Sequence, residues 1–195
     1  MNMGGLSCFQ SLFRNPYDNV PGLSPATCVY HEPPPGATVA DYYSANPGVF
    51  GRILNGELPS RDYGETPELL AFGDRSPKAE FHALVIPKRY VPNVYSLAGD
   101  DDADLVRDMR RMALSLLENF QPRARATEDY VLCFHVPPFN SVDHLHLHVL
   151  APASKMDWVH RYGKYNCGTM WCVSDLEVID RLSRGMAAVP YAKMF

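Results

Sequence analysis

Three histidines, His144, His146 and His148, occupy alternate positions in the C-terminal half of the chain, with aliphatic residues between them. Alternate side chains of a β-strand point to the same face, so the three imidazoles would line one face, about 6.5–7 Å apart at their Cα atoms. Imidazole changes charge near neutral pH and serves as metal ligand, nucleophile, or general acid and base. A rigid row of imidazoles therefore predicts a chemically active strand.

Three interpretations fit this row. It can be the polar face of a half-buried strand, although such faces are usually filled by Lys, Glu, Thr or Ser. It can bind zinc, since two histidines on a strand and one distant ligand hold the ion with one position open. It can also perform nucleophilic catalysis at phosphorus, through a covalent phospho-histidine that water then hydrolyses. Spacing alone does not rank zinc against phosphorus chemistry.

The rest of the pattern predicts the elements that position this strand. Apolar residues at helical spacing predict a short helix around 49–54 that ends near Gly56. Two apolar runs, 68–72 and 81–86, flank a Gly-Asp-Arg-Ser-Pro turn and predict an antiparallel hairpin.

A long amphipathic helix is predicted after the aspartates at 100–104, followed by strands at 130–135 and 144–150. A last helix covers 174–182, with Ser174 as its N-cap and Glu177 completing a capping box. Segregated strands and helices predict an α+β fold with helices on one side of an antiparallel sheet.

The first 44 residues follow a different pattern. They are rich in proline and show no sustained period of 2 or 3.6, so we expect residues 1–44 to form an extended or partly disordered arm and 45–195 to form the domain. If translation began at Met3, Gly4 and Cys8 would match part of an N-terminal acylation pattern, which predicts a lipid anchor only weakly because Cys replaces the Ser or Thr expected there.

Charge and cysteine usage exclude several classes of protein. The net charge of −4 argues against a broad binder of the phosphate backbone, so nucleic acid is not the expected partner, while a small anionic ligand remains open. Five scattered cysteines without a C-x-x-C pair favour neither a disulfide framework nor a zinc ribbon, and they fit a reducing compartment. Neither a secretory signal nor a transmembrane run is present, so we expect a cytoplasmic protein that can also be nuclear.

Longer stretches of sequence decide between the interpretations. The run His-Leu-His-Leu-His-Val-Leu at 144–150 resembles the signature of the histidine triad family, and the resemblance extends to the segments that flank it, covering about residues 46–185. Segment 50–59 resembles the family's nucleoside-pocket helix, and 71–79 with 82–88 resembles its central hairpin. Pro-Pro-Phe-Asn-Ser at 137–141 and Ala-Pro at 151–152 are most similar to the third-type histidine triad nucleotide-binding proteins and to aprataxin.

The resemblance implies specific catalytic roles. His146 would attack the α-phosphorus of an adenosine phosphoramidate or acyl-adenylate, and water would hydrolyse the adenylated histidine to AMP. His148 would contact a phosphate oxygen and help to protonate the leaving amine, while His144 would orient the strand. Ser141 would supply a hydroxyl to the phosphate.

It also implies a set of nucleotide-binding residues. Asp74 would bridge the ribose hydroxyls beside Arg75, and backbone N–H groups near Phe139 and Asn140 would stabilise charge in the transition state. Considered alone, an aspartate at this position would more often form a turn. The apolar base pocket would consist of Phe50, Ile53, Leu58 and Phe72. His82 would be a supporting fourth histidine, and His135 a histidine at the rim.

The expected protein is thus a homodimeric, adenosine 5′-monophosphoramidase-type hydrolase that uses neither a metal nor another cofactor. Two alternatives stay open. An aprataxin-like hydrolase of DNA 5′-adenylates is disfavoured by the charge and by the lack of a zinc-finger spacing around Cys167 and Cys172. A zinc-binding or AMP-sensing module would bind a ligand at the same histidines without turning it over.

Overall fold

The computed structural model of the protein describes residues 48–190. The predicted arm at 1–44, with Gly4 and Cys8, lies outside the described residues, as do both ends of the predicted 45–195 domain. None of the helices within 48–190 combines the length and apolar character needed to cross a bilayer.

One antiparallel sheet organises the described chain. Its strand order is β1-β2-β3-β5-β4-β6, which places β3, β5 and β4 at the centre. The strands are β1 (Asp62–Glu65), β2 (Leu69–Gly73), β3 (Phe81–Pro87), β4 (Val131–His135), β5 (Leu147–Ala151) and β6 (Cys172–Ser174).

Within residues 48–190, four α-helices and three shorter helical turns precede, connect or follow the strands. The predicted short helix, long helix and last helix are all present, and the N-cap prediction is confirmed because the Ser174 hydroxyl accepts the N–H of Glu177 at 3.2 Å. The α-helices are α1 (Val49–Leu54), α2 (Gly99–Phe120), α3 (Pro122–Ala126) and α4 (Asp175–Ser183), the 3₁₀ turns are Val94–Ser96 and Ala153–Lys155, and a π-helical turn covers His160–Lys164.

The two faces of the sheet carry different layers. Alternate strand residues such as Ala83, Val85 and Val149 pack against α2 and α4 in the main core, as predicted for an α+β sheet. Residues on the opposite face, including Leu84 and Ile86, pack against α1. The prediction of helices on one side of the sheet is therefore wrong for α1, whose apolar residues cover the second face. The side chains of β3 and β5 thus alternate between a core and a second, thinner layer that holds the histidines.

The strand that carries the histidine row starts later than predicted. The prediction was 144–150, whereas the β5 ladder begins at Leu147, where Leu147 pairs with Val85. Two residues beyond Val85, β3 reaches Pro87, which has no backbone N–H and cannot donate to a strand that continues the ladder. The N–H of Leu145 donates to the Val91 carbonyl at 2.7 Å instead. His144 and His146 therefore lie on an extended segment that leads into β5.

A buried ion pair joins the two helices on the core side. The Arg110 guanidinium of α2 donates to the carboxylate of Asp175, whose side chain is only 3% exposed. Because a buried carboxylate without a partner is strongly destabilising, the pair constrains how α4 sits on α2.

We expect Arg110→Ala to destabilise the fold by about 3–5 kcal/mol, because it leaves the Asp175 carboxylate buried and unpaired. The double variant Arg110→Ala/Asp175→Ala should be more stable than Arg110→Ala alone. Urea unfolding measures the free energy of unfolding of both variants. The matched control is Arg111→Ala, which removes an exposed i,i+3 pair with Asp108 on the same helix and should change stability by less than about 0.5 kcal/mol. Equal losses for Arg110 and Arg111 would contradict the assignment.

Candidate active site

The reactive nitrogen of His146 is selected by a backbone hydrogen bond. Its Nδ1–H donates to the His144 carbonyl at 2.7 Å. In a neutral imidazole the proton then resides on Nδ1, and Nε2 carries the lone pair. Nε2 of His146 is therefore the ring nitrogen that has a lone pair to offer a ligand.

A second chain of hydrogen bonds determines the proton on His148. The backbone N–H of Lys78 donates to Nδ1 of His82 at 3.2 Å, so the proton of a neutral His82 is on Nε2. Nε2 of His82 lies 3.0 Å from Nδ1 of His148 and donates to it. The proton of His148 is thus on Nε2, which is buried and has no hydrogen-bond partner within residues 48–190. His148 thus offers an N–H donor next to the imidazole of His146, since the two ring centroids are 4.9 Å apart.

His144 has a different role from the other two members of the row. Its Nε2–H donates to the Pro87 carbonyl at 2.8 Å, and its ring packs edge-on against Phe50 and Tyr90. The imidazole is fully buried, so it anchors the extended segment to the end of β3. The predicted orienting role fits this geometry, and the link to His146 runs through the His144 carbonyl.

The structure adds two residues to the compact histidine group. His135, which was expected at the rim, is buried with its ring centroid 4.6 Å from that of His148, and its Nε2 has no partner in the described chain. The Tyr165 ring, 2% exposed, contacts the rings of His82, His135 and His148 at 5.1–5.7 Å. Sequence reasoning missed Tyr165 because it follows the histidine row by 17 positions and no local pattern distinguishes it.

Burial keeps these imidazoles neutral. It lowers the pKa of His82, His135 and His144 to about 4 each, and for His82 the Asp74 carboxylate opposes this only in part. Burial also lowers the pKa of His146, and it lowers that of His148 well below its usual range, with the neighbouring histidines adding to the effect. Neutral imidazoles retain one lone pair and one N–H each, which a nucleophile and its hydrogen-bond donor require.

Two ligand sets in this region have the geometry of a metal site. Nitrogen atoms of His135, His146 and His148 lie within 4.8 Å of one another, as do ligand atoms of Asp74, His82 and His148. Both sets include His148, whose Nδ1 accepts from His82 and whose Nε2 carries the proton. A metal at either set would have to break this hydrogen-bond chain, so the arrangement favours phosphorus chemistry over the zinc interpretation.

An apolar wall closes one side of the histidine group. The Phe50 ring of α1 lies 5.4 Å from both the Phe72 and the His146 rings in edge-on geometry. Ile53 is buried in the same cluster and Leu58 is half-buried against it. Gly56, at φ 71°, ends α1 in the left-handed region and directs the chain towards Leu58. The four residues predicted for the base pocket therefore share one surface beside His146.

The turn before β3 brings a carboxylate to the histidines. One oxygen of Asp74 accepts the N–H of Ser76 at 2.7 Å, so the residue does form the turn, as a lone aspartate was expected to do. The other oxygen lies 3.5 Å from Nε2 of His82, and the Asp74 side chain as a whole is 18% exposed. Arg75 is exposed beside it. Asp74 is thus positioned at the edge of the site.

The loop before the histidine row is shaped by its own hydrogen bonds. The backbone N–H of Phe139 donates to the Val136 carbonyl at 3.0 Å and is turned towards the loop in this conformation, while a contact from the loop backbone to a phosphate stays a prediction. The Asn140 amide donates to the Val142 carbonyl at 3.2 Å and to Asp143 at 2.8 Å, which shapes the loop. The Phe139 ring is half exposed, and Ser141 is exposed at the start of the segment that leads to His144.

Comparisons with known proteins agree on one family. A family model described as "Scavenger mRNA decapping enzyme C-term binding" matches residues 48–163. An adenosine 5′-monophosphoramidase HINT3 from Xenopus tropicalis is 35% identical over 149 residues, which cover 75% of this chain and 95% of that protein. The chain belongs to the histidine triad (HIT) family.

Further proteins are similar to this chain in sequence or in structure. HINT3 from Mus musculus is 31% identical over 154 residues, 77% of this chain and 89% of that protein. The bifunctional adenosine 5′-phosphosulfate phosphorylase/adenylylsulfatase HINT4 from Arabidopsis thaliana is 39% identical over 104 residues, 53% of this chain and 68% of that protein. Among solved structures, a HIT family hydrolase from Legionella pneumophila Philadelphia 1 is 32% identical with a TM-score of 0.49, covering 56% of this chain and 96% of that one.

The buried HIT histidines predict a loss of stability in mild acid. Between about pH 6.5 and pH 5 the unfolded chain binds protons on these histidines and the folded chain does not, so the free energy of unfolding falls as the pH is lowered. One such histidine contributes up to about 1.4 kcal/mol per pH unit. His144→Asn should reduce the slope by about that amount in urea unfolding across this window. Identical slopes in wild type and variant would show that His144 is not held neutral by burial.

Proposed function

We propose that the protein hydrolyses the P–N bond of adenosine 5′-monophosphoramidates through a nucleotide bound covalently to His146. The observation that carries this proposal is the hydrogen bond from His146 Nδ1–H to the His144 carbonyl, which leaves the lone pair on Nε2. Hydrolysis as the class of reaction is supported by the kinship with the HINT3 monophosphoramidases.

The substrate class follows from what the relatives have in common. The HINT3 proteins are named for adenosine 5′-monophosphoramidase activity, and HINT4 for activity on adenosine 5′-phosphosulfate. These substrates share an adenosine 5′-phosphoryl group and differ in the leaving group. We therefore assign the adenosine 5′-phosphoryl group to the site and an amine to the leaving side.

Two displacements at phosphorus account for the reaction. Nε2 of His146 attacks the α-phosphorus, the N–P bond forms, and the P–N bond to the amine breaks. A second proton, taken up from solvent when the anionic substrate binds, makes His148 an imidazolium, and the departing nitrogen takes one proton from its Nε2, which leaves a neutral imidazole. Water then attacks the same phosphorus, the His146–P bond breaks, and the water gives a proton to His148. The extra proton returns to solvent as AMP leaves, so that both imidazoles are restored.

The neutral state of the site suits an anionic substrate. Imidazoles whose pKa is lowered by burial carry no charge before binding, and a phosphate anion that enters the site raises their pKa values by its opposite charge. Binding of substrate thus favours the imidazolium form of His148, which has a proton to give at the stage when the amine leaves. The wall of Phe50, Ile53, Leu58 and Phe72 would hold the adenine beside this centre.

We expect His146→Asn to lower the hydrolysis of an adenosine phosphoramidate by about a thousandfold or more, because Asn has no nucleophilic ring nitrogen. Mass spectrometry of wild-type protein quenched during turnover should find AMP attached to His146 and to no other residue. His144→Asn serves as a control, since it should keep the adduct on His146.

The outcomes separate the alternatives. AMP binding without any adduct in the wild type would favour a sensing module, and full activity of His146→Asn that a chelator abolishes would favour a metal mechanism. Release of AMP from nicked adenylated DNA in preference to small phosphoramidates would favour the aprataxin-like function. The homodimer and the cytoplasmic location stay predictions that sedimentation and cell fractionation can test.

A second prediction concerns the ribose. If the Asp74 carboxylate binds the ribose hydroxyls, Asp74→Asn should raise KM for the adenosine substrate by about tenfold and leave KM for the 2′-deoxyadenosine substrate nearly unchanged. Steady-state kinetics on the two substrates measures this difference. An equal increase in KM for both substrates would mean that Asp74 acts only through the Ser76 turn and His82.

A further inference from the structure

Three cysteines from separate segments meet on the histidine-bearing face of the sheet. Cys133 lies on β4, Cys172 on β6, and Cys167 in the loop that precedes β6. Their three sulfur atoms lie within 4.8 Å of one another, and Sγ of Cys167 is 3.7 Å from Sγ of Cys172. No step proposed for hydrolysis involves them.

The backbone holds the three thiols in this arrangement. Cys133 pairs with Ser174 and His135 pairs with Cys172, which makes Cys133 and Cys172 diagonal neighbours on one face of two hydrogen-bonded strands. Gly168, at φ 83°, turns the chain directly after Cys167, and its N–H donates to the Cys172 carbonyl at 3.1 Å. The loop that carries Cys167 is thus attached to the strand that carries Cys172.

The separation of the sulfur atoms matches a shared cation. Three thiolates at about 2.3 Å from a tetrahedral Zn²⁺ lie about 3.8 Å from one another. The observed 3.7 Å between Cys167 and Cys172 has this value, whereas a disulfide would need about 2 Å and would use only two of the three thiols.

The surroundings fit a soft ion. Cys133 and Cys172 are fully buried, and the neighbouring side chains are mostly apolar, among them Leu150 and Met156. Thiolates select soft cations such as Zn²⁺ over hard ones such as Mg²⁺. Since Cys167 is only partly buried, an ion can enter from its side and a water molecule can complete the coordination.

We propose that Cys133, Cys167 and Cys172 form a three-thiolate binding site for a soft cation of the Zn²⁺ class, separate from the catalytic histidines. Each thiol releases its proton to solvent when the cation binds, and no oxidant takes part. The bound ion would connect β4, β6 and the loop before β6.

A cation at the three cysteines would affect the histidines, because two of the cysteines pair with histidines on neighbouring strands. Cys133 pairs with His148 across β4 and β5, and Cys172 pairs with His135 across β4 and β6. A cation that holds the thiols would therefore hold the neighbouring imidazoles in place. We expect it to raise the melting temperature of the whole domain.

The test uses the full chain, reduced with a phosphine and freed of metal, and titrates it with Co²⁺ as a spectroscopic probe. Thiolate coordination should give a near-ultraviolet charge-transfer band that saturates at about one equivalent and disappears when Zn²⁺ is added. Cys167→Ser, at the partly exposed position, should weaken binding by at least about tenfold while the protein stays folded by circular dichroism. Zn²⁺ should raise the melting temperature of wild type and not that of Cys167→Ser.

Two controls confine the signal to the cluster. The double variant Cys8→Ser/Cys28→Ser removes cysteines outside the described residues and should keep the band, and His146→Asn should keep it because the imidazoles are not the ligands. A Co²⁺ complex without the sulfur band, or a band that survives Cys167→Ser and Cys172→Ala alike, overturns the proposal. So does a protein that takes up no cation but loses two of these thiols to glutathione disulfide.

Discussion

The chemistry of the site depends on two contacts between imidazole and main chain. The His144 carbonyl accepts Nδ1–H of His146, and the N–H of Lys78 donates to Nδ1 of His82. Both partners are backbone groups, whose donor or acceptor character cannot change, so each contact determines which ring nitrogen carries the proton. The first contact leaves a lone pair on His146, and the second passes through His82 to leave a proton on His148. The lone-pair nitrogen and the N–H donor are thus distinguished by the fold, although the two side chains are identical.

Burial supplies the other half of the arrangement. A protein with a net charge of −4 would repel a phosphate if its site were also anionic, and a cluster of charged imidazoles would destabilise its own interior. Neutral imidazoles avoid both problems while keeping donors and acceptors available. Under the proposed function, the charge of the site changes mainly when the phosphate of the substrate binds. The same burial lowers the stability of the domain in acid, because the histidines bind protons in the unfolded chain and stay neutral in the folded chain.

Sequence reasoning found the elements with strong local patterns and missed what only packing creates. The alternation at 144–148 and the helical spacing of α1, α2 and α4 could be predicted because each depends on a local period. The start of β5 could not, because it depends on Pro87 of another strand. Tyr165 could not be predicted, because its contact with the histidines depends on how the chain folds back after β5. The hydrogen bond from Phe139 N–H to the Val136 carbonyl also gave no signal in the sequence, because it depends on the path of the loop.

The order β3-β5-β4 has a consequence for how such a chain can vary. His82, His148 and His135 stand on three adjacent strands, and each faces the site because its position in the pleat has the right parity. The loss or gain of one residue within β4 would rotate His135 and Cys133 to the side of the helices and bring Phe134 among the imidazoles. Length changes in the connecting loops leave parity untouched. Natural insertions and deletions are therefore expected to accumulate between these strands and to avoid their interiors.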